Sequence, residues 1–349
     1  MKRPLIAVSV GCPSGVGPEV AVAGAARVPS ARCVLVGDEA VIRSAARLRG
    51  IAGRRLVVVD GARAMKALAP GQIGVFAGSS RLAGAAAPGS PDAAAGRAQL
   101  AWIDEATELV RSGDAAALVT GPASKLAIAT SGAPGSERFR GHTEHLAERL
   151  GAAEVVMAFR SPALTTALVT THLPLAQVPE AVTPEAVATS AYWLARLLRR
   201  LGHRSPRIAI AALNPHAGEG GLLGIEEQTR IAPGVEVARM RLARDGEAAR
   251  LVGPVGAETA FRLARDGVYA GVVAMYHDQA TIPSKLLGFG EAVNVTLGLP
   301  IIRTSVDHGT AYDIAGKGRA DPRGMREAIE LAARLATARP RPPSRGAAP

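Results

Sequence analysis

Leu5-Ile6-Ala7-Val8-Ser9-Val10 runs directly into Gly11-Cys12-Pro13-Ser14-Gly15-Val16-Gly17-Pro18-Glu19, and a helix-compatible stretch follows to Ala26. An unbroken apolar run, a Gly/Pro turn and then a helix form the opening unit of a parallel α/β sheet, whose strands are buried on both faces and need not alternate. Pro18 fits the first helical turn, and Glu19 fits the positive end of the helix. The turn is neither G-x-G-x-x-G nor a phosphate loop, because Pro18 and Glu19 replace the third glycine and no Lys-Ser/Thr pair follows. A Rossmann dinucleotide site and a P-loop nucleotidase are therefore both unsupported.

The alternation continues outward from this unit. Strands are expected at 5–10, 33–36, 116–119, 164–169, 208–213 and 271–275, and helices at 16–26, 93–111, 143–150, 184–201, 225–244, 257–265 and 322–335. Residues 77–96, rich in Ala, Gly, Ser and Pro, read as a flexible connection. Residues 338–349, rich in Pro and Arg, read as a disordered tail. A chain of 349 residues with 48% hydrophobic content can bury a substantial core and is long enough for two domains.

Composition excludes several classes of function. The two cysteines, Cys12 and Cys33, form no Cys-x-x-Cys pair, so neither a disulfide framework nor a thiolate zinc site is indicated. No segment approaches the roughly 20 apolar residues of a membrane helix, and the short N-terminal apolar run leads into a loop instead of a cleavage site. A cytoplasmic protein with no membrane partner is expected. The net charge of +11 raises the possibility of nucleic-acid binding, but aromatic residues make up only 3% and the arginines are scattered over helix faces, so stacking platforms are scarce. The expectation is no nucleic acid, with a positive field that draws in an anionic metabolite.

Three of the seven histidines stand just after strand-like runs: His172 in T-T-H-L-P, His216 in L-N-P-H-A-G-E and His277 in M-Y-H-D-Q. Alone, each reads as a hydrogen-bonded loop residue. Together, delivered to the strand ends where open α/β sheets gather their binding loops, they point to a divalent-metal site with coordination positions left for a substrate oxygen. His203, in a basic turn after a helix, reads as solvated.

Anion-binding equipment lies elsewhere. In G-H-T-E (141–144), Thr143 is expected to cap the following helix and offer its hydroxyl and backbone N–H groups to a phosphate, beside His142. T-G-P-A-S-K places Lys125 after a strand, and Lys285, Asn294 and Arg303 add two cations and an amide. Each alone reads as surface polarity; together they would hold a small phosphorylated acid.

These motifs, with Y-H-D-Q and V-N-V-T-L-G-L-P-I-I-R-T-S-V-D-H-G-T-A-Y-D-I-A-G-K-G, occur in the order found in the 4-hydroxythreonine-4-phosphate dehydrogenase family, which the chain resembles from the first strand to about residue 335. The resemblance implies two α/β/α domains of the isocitrate/isopropylmalate dehydrogenase type with a cleft between them, residues 1–135 with 290–337 and residues 136–289. It implies that His172, His216 and His277 bind Zn, Mg or Co in a site shared between two subunits of a homodimer. His142, Thr143, Lys285, Asn294 and Arg303 would bind the phosphorylated hydroxy acid. Gly309, Thr310, Asp313 and Ile314 would meet NAD or NADP. Asp278 and Lys285, within eight residues of His277, are the candidates for proton handling. The implied reaction is oxidation of 4-phosphohydroxy-L-threonine in pyridoxal phosphate synthesis. Cys12, where the family usually has Asp, and the segment after Y-H-D-Q keep open the oxidation of 4-phospho-D-threonate or 4-phospho-D-erythronate. A non-redox metal hydrolase is a more remote alternative, and the H-G-T-A-Y-D-I-A-G-K-G loop speaks against it.

Overall fold

The structure, a computed structural model, describes residues 3–84, 86–288 and 290–338. All but the first residue of the expected tail lie outside these. Twelve strands run through the described residues: β1 (Leu5–Ser9), β2 (Arg32–Val36), β3 (Leu56–Val59), β4 (Ile73–Phe76), β5 (Ala117–Thr120), β6 (Val156–Arg160), β7 (Thr165–Leu168), β8 (Arg207–Ala211), β9 (Arg250–Val255), β10 (Gly271–Ala274), β11 (Val293–Leu297) and β12 (Arg303–Val306). The chain divides into two compact units, residues 3–153 with 299–337 and residues 154–298.

The joins fall later than the sequence places them, for two local reasons. Asp104, on the helix Ala93–Arg111, binds His145 and Arg149 of the helix His142–Leu150 at 2.6 and 3.3 Å, which keeps that helix in the first unit. β11 pairs antiparallel with β6, from Val293↔Arg160 to Leu297↔Val156, and so belongs to the second.

In the first unit the strand order is β3-β4-β2-β1-β5-β12, all parallel. Every residue of β1, β5 and β12 is buried, as expected of strands covered on both faces. β1 has β2 on one side and β5 on the other, so the chain changes direction across the sheet there, where such sheets bind ligands beyond the carboxyl ends of the strands. The helix Ala93–Arg111 starts with Asp92 accepting the Ala95 N–H at 2.7 Å and buries Ala95, Ala98, Trp102, Ala106 and Leu109 at helical spacing. The Trp102 indole donates to the Ser80 carbonyl at 2.7 Å, and the Glu105 carboxylate accepts the Ser80 N–H at 2.9 Å. The described residues of the stretch before this helix thus form no helix or strand, but the stretch is pinned at Ser80, against the expectation of a flexible connection.

In the second unit the order is β11-β6-β7-β10-β8-β9, with β6 antiparallel to both neighbours and the other pairs parallel. Phe159, Leu168, Ala209, Phe261, Tyr269 and Val272 belong to its apolar core. Pro254 lies in β9 at the end of this order, where a missing N–H breaks no inner ladder. β7, β10 and β8 are consecutive parallel neighbours, so the segments carrying His172, His277 and His216 leave adjacent strands at the same end.

Several elements escape the sequence pattern. β3, β4, β6, β9, β11 and β12 are only four to six residues long, too short to show a period. The helix His277–Gly288 contains Pro283, a residue that ordinarily argues against a helix. The expected helix at 225–244 is a π-helical turn, Glu227–Ile231, leading into the α-helix Ala232–Arg244.

Candidate active site

The first unit builds a cationic pocket. Arg303, the first residue of β12, is 3% exposed, and its Nη2 donates to Thr120 Oγ1 at 2.6 Å. Burial pushes its pKa down to about 10, against the opposing pull of Glu144, which still leaves a full positive charge at neutral pH. His142 Nε2 is buried and makes no hydrogen bond. Burial, then the positive charges of Arg303, His145 and Lys125, hold its pKa well below the usual imidazole range, so the ring is neutral. The Phe139 ring meets His142 edge-on at 6.1 Å and lies 5.5 Å from His145, whose Nε2 contacts Asp104. A buried guanidinium beside an imidazole nitrogen with unmet hydrogen-bonding capacity is suited to an anion rich in acceptor oxygens.

Local sequence explains this arrangement and corrects one expectation. The helix starts at His142 with Gly141 as its N-cap, so Thr143 lies within the first turn and does not cap it. A Cβ at Gly141 would come within 2.8 Å of Glu144 Oε2 and 3.5 Å of Lys125 Cε, so a larger residue there would make the Glu144 carboxylate shift. Lys125 opens the helix Lys125–Ala129, whose Ala127 N–H is capped by Ser124 Oγ at 3.2 Å.

The second unit carries the histidines. The rings of His172 and His277 lie 5.5 Å apart, centroid to centroid. With metal–nitrogen bonds of about 2.1 Å, two imidazoles on one ion bring their centroids to roughly 5–6 Å, so this pair fits a shared cation. His277 is the first residue of its helix, not a loop residue as expected, and its Nδ1 lies 2.9 Å from Asp278 Oδ1. A neutral ring that donates to this carboxylate through Nδ1 keeps the Nε2 lone pair for a ligand. This places Asp278, 70% exposed, as an orienting partner of His277.

The strand ends beneath are tied together. Gln279 Oε1 accepts the Met275 N–H at 2.7 Å while its Nε2 donates to the Ala212 carbonyl at 2.8 Å, and Thr170 Oγ1 donates to the Met275 carbonyl at 2.8 Å. His216 departs from the pair. It is 76% exposed, 3.8 Å from Glu219, and close enough to Glu258 to contribute to lowering that carboxyl's pKa, after the Thr259 hydrogen bond. Among the described residues, no group of three His, Cys, Asp or Glu side chains is gathered tightly enough to hold an ion. The structure brings together two of the three expected ligands.

The expected phosphate set divides. His142, Thr143 and Arg303 belong to the first unit, whereas Lys285, exposed on the helix His277–Gly288, and Asn294, on β11, belong to the second. Asn294 Oδ1 is buried and makes no hydrogen bond.

The expected nicotinamide loop is braced by the opening loop of the chain. The Val16 N–H donates to the Thr310 carbonyl at 2.9 Å, the Gly316 N–H to buried Glu19 Oε1 at 2.8 Å, and Cys12 Sγ lies 3.7 Å from the Tyr312 hydroxyl. Burial raises the pKa of both Cys12 and Tyr312, so thiol and phenol stay protonated. Ala311 adopts φ 44°, and the turn Tyr312–Ile314 leaves the Asp313 side chain exposed. A side chain at Gly309 would meet no protein atom within 4 Å, which leaves its backbone accessible to a ligand. An acceptor carboxylate next to open backbone fits ribose hydroxyls. Beside the loop, a cavity of about 280 Å³ is lined by Ser14, Glu19, Asp38, Ser44, Pro88 and Gly316, among others.

Several residues at these sites carry no motif-level signal: Thr120 under Arg303, Gln279 between two strand ends, and Glu227, 97% buried at the root of the His216 loop. Glu227 reads in sequence as an ordinary acid near a helix start. No described helix is long and apolar enough to cross a membrane.

Residues 29–332 match the family model described as pyridoxal phosphate biosynthetic protein PdxA. The chain is 45% identical to 4-hydroxythreonine-4-phosphate dehydrogenase of Aromatoleum aromaticum, covering 94% of this chain and 95% of that one, and 43% identical to that of Geobacter metallireducens, covering 96% of each. A crystal structure of 4-hydroxythreonine-4-phosphate dehydrogenase from Klebsiella pneumoniae matches with a TM-score of 0.82 and 38% identity, covering 96% of this chain and 100% of that one. The chain belongs to the PdxA family of pyridoxal phosphate biosynthetic proteins, an enzyme family of dehydrogenases.

Proposed function

We propose that the protein oxidises the secondary hydroxyl of 4-phosphohydroxy-L-threonine to give 2-amino-3-oxo-4-phosphooxybutanoate, passing a hydride to NAD or NADP and a proton to solvent. The product is a β-keto acid, which loses CO2 to give 3-amino-2-oxopropyl phosphate. The observation that carries this reading is the buried Arg303 guanidinium beside neutral His142: such a pair selects a phosphate-bearing substrate. The names of the relatives at 43–45% identity support the same substrate.

In this reading Arg303, Thr143 and His142 bind the phosphate, and Lys285 and Asn294 are further candidates for holding the phosphorylated acid. His172 and His277 hold a divalent cation, Zn, Mg or Co. When bound, the cation polarises the substrate hydroxyl and lowers its pKa, which removes the need for a strong base. Asp278 keeps His277 in the tautomer that presents Nε2, and Lys285 remains the candidate for moving the released proton. Asp313, Gly309, Thr310 and Ile314 position the nicotinamide cofactor, whose C4 accepts the hydride.

We assign the third histidine, His216, to a site completed by a second copy of the chain. Leu222 is 85%, Ile225 56%, Leu286 82% and Leu175 69% exposed, so each of the three histidine segments is followed by apolar surface of the kind subunit contacts cover. A homodimer whose metal site is shared between subunits follows.

Cys12 favours a second reading. The opening loop here offers a protonated thiol held by Tyr312 where the family usually has a carboxylate, so 4-phospho-D-threonate and 4-phospho-D-erythronate are the competing substrates. The test is formation of reduced nicotinamide by cation-reconstituted protein offered each substrate in parallel, with a chelator control. Chelator-sensitive turnover of 4-phosphohydroxy-L-threonine is expected. Turnover of the sugar acid phosphates alone would replace the first reading by the second, and turnover unaffected by chelator would remove the cation from both.

A further inference from the structure

The loop that carries His216 is the most strained segment among the described residues. His216, Ala217, Gly218, Glu219 and Gly220 take φ values of 53, 54, 79, 43 and 68°, so five consecutive residues lie in the left-handed region and three of them are not glycine. Side chains there press Cβ toward the following carbonyl, and such backbone persists only where its surroundings over-determine it. The loop forms a short 3-10 turn, Pro215–Gly221, and beyond it the Leu222 N–H reaches the Glu219 carbonyl at 3.3 Å and the Leu223 N–H reaches the Gly218 carbonyl at 3.1 Å.

Glu227 ties the root of this turn from beneath. Its carboxylate is 3% exposed and lies beneath the loop. Oε1 accepts the N–H groups of both Leu213 and Asn214 at 2.8 Å, and Oε2 accepts the Asn214 side-chain amide at 3.0 Å. The same amide donates to Glu226 Oε2 at 2.7 Å. Gly218 packs on the carboxylate so closely that a Cβ there would come within 2.8 Å of Oε2, and a Cβ at Gly224 would overlap the Asn214 amide at 2.2 Å. Glu227 also opens the π-helical turn Glu227–Ile231, a local irregularity often found at functional sites. The chain thus buries a charged group to satisfy the two N–H groups just before Pro215 and His216, where a charged acceptor makes stronger bonds than a neutral one.

We propose that Glu227 is the positioning residue of the His216 loop: its buried carboxylate holds the strained backbone in the shape that presents His216 to a divalent cation. The inference rests on His216 being a cation ligand, and the two can fail separately. Asn214 acts as the arm through which the carboxylate reaches the loop, and Glu226 plays a lesser part because it touches only the Asn214 amide.

The test uses full-length, cation-free protein, with Co(II) titrated spectroscopically as the probe and amide hydrogen exchange measured over residues 213–224. In Glu227→Ala, exchange across the loop accelerates and Co(II) affinity falls roughly ten- to a hundredfold, the usual effect of removing a group that orients a ligand. In Glu227→Gln, the amide oxygen can keep the bonds to Leu213 and Asn214, but its NH2 confronts the Asn214 NH2. Loosening and affinity loss should therefore be intermediate, and this variant decides the matter if Glu227→Ala does not fold. Glu226→Gln should leave both readouts near wild type. Unchanged exchange in both Glu227 variants overturns the proposal, as does a loosened loop with unchanged Co(II) affinity when His216→Ala has lost it. Wild-type Co(II) binding by His216→Ala instead overturns the ligand role of His216 itself.

Discussion

Two regions handle charge in opposite ways. In the first unit, Arg303 is buried with its guanidinium on Thr120, and half-buried His142 has its imidazole against Phe139. In the second, His216 stands 76% exposed on a left-handed loop, apart from the His172–His277 pair at the strand ends. The Arg303 guanidinium is thus held in place before any ligand arrives, which lowers the reorganisation needed on binding. The histidine site needs something further to gather it. Loss of a fixed group should therefore weaken binding of one substrate, whereas loss of a gathered ligand should remove the site.

His216→Ala gives the largest expected effect. Turnover falls to background together with bound cation, because two remaining imidazoles hold a divalent ion poorly. Turnover should return in part when this variant is mixed and re-assembled with a chain disabled at Arg303, since hybrid dimers could then pool one intact site. Full activity and full cation content in His216→Ala alone would collapse the contrast between the two regions.

Arg303→Ala comes next. Removing a buried, charge-assisted phosphate contact costs about 2–3 kcal/mol, or roughly 30- to 150-fold in kcat/KM. The loss should appear mainly in KM for the phosphorylated substrate, with KM for NAD unchanged. Arg303→Lys keeps the charge but not the fork and should recover only part of it. Equal losses in both KM values would mean that the guanidinium supports the fold instead of the phosphate.

How much of this contrast the sequence shows differs between the two regions. The histidines were legible because each follows an apolar run that became β7, β8 or β10, and the order β7-β10-β8 makes those runs neighbours. The strain was not legible: Gly218 and Gly220 hint at a left-handed turn, but nothing marks His216, Ala217 and Glu219 as sharing it, and the group holding them sits at Glu227. Arg303 looked like surface charge because Arg-Thr-Ser-Val is too polar to read as a buried strand. Thr143 was assigned the cap because threonine favours that position, whereas the helix starts two residues earlier than that, with Gly141 as the N-cap. Propensity and period were sufficient for the α/β alternation and for six of the twelve described strands; the site depended on contacts between residues far apart in sequence.

A smaller effect is expected where the opening loop meets the nicotinamide loop. A Cβ at Gly15 would lie 2.7 Å from the Thr310 carbonyl oxygen, a backbone atom that cannot swing aside. Gly15→Ala should push the Gly309–Ile314 segment outward and raise KM for NAD about tenfold, equivalent to about 1.4 kcal/mol, while KM for the phosphorylated acid stays the same. A shift in the phosphate KM instead would assign this loop to the substrate.

The smallest effect concerns the pH dependence of the fixed region. His142 has a native pKa well below 6.5, through burial first and then the charges of Arg303, His145 and Lys125. An unfolded chain protonates that imidazole near pH 6.5, and the native chain does so only at much lower pH. Below that value the unfolded state binds more protons, so stability falls as pH drops, by at most about 1.4 kcal/mol per pH unit for this group, and is unaffected above it. His142→Asn removes the term. The variant's Tm should fall less than that of wild type between pH 7 and 5, whatever their difference at pH 7. Inorganic phosphate should narrow the gap, because an anion beside the ring favours its protonated form. Parallel Tm profiles for the two proteins would show that His142 is not held neutral in the native pocket, and that region would lose its claim to be set before the ligand arrives.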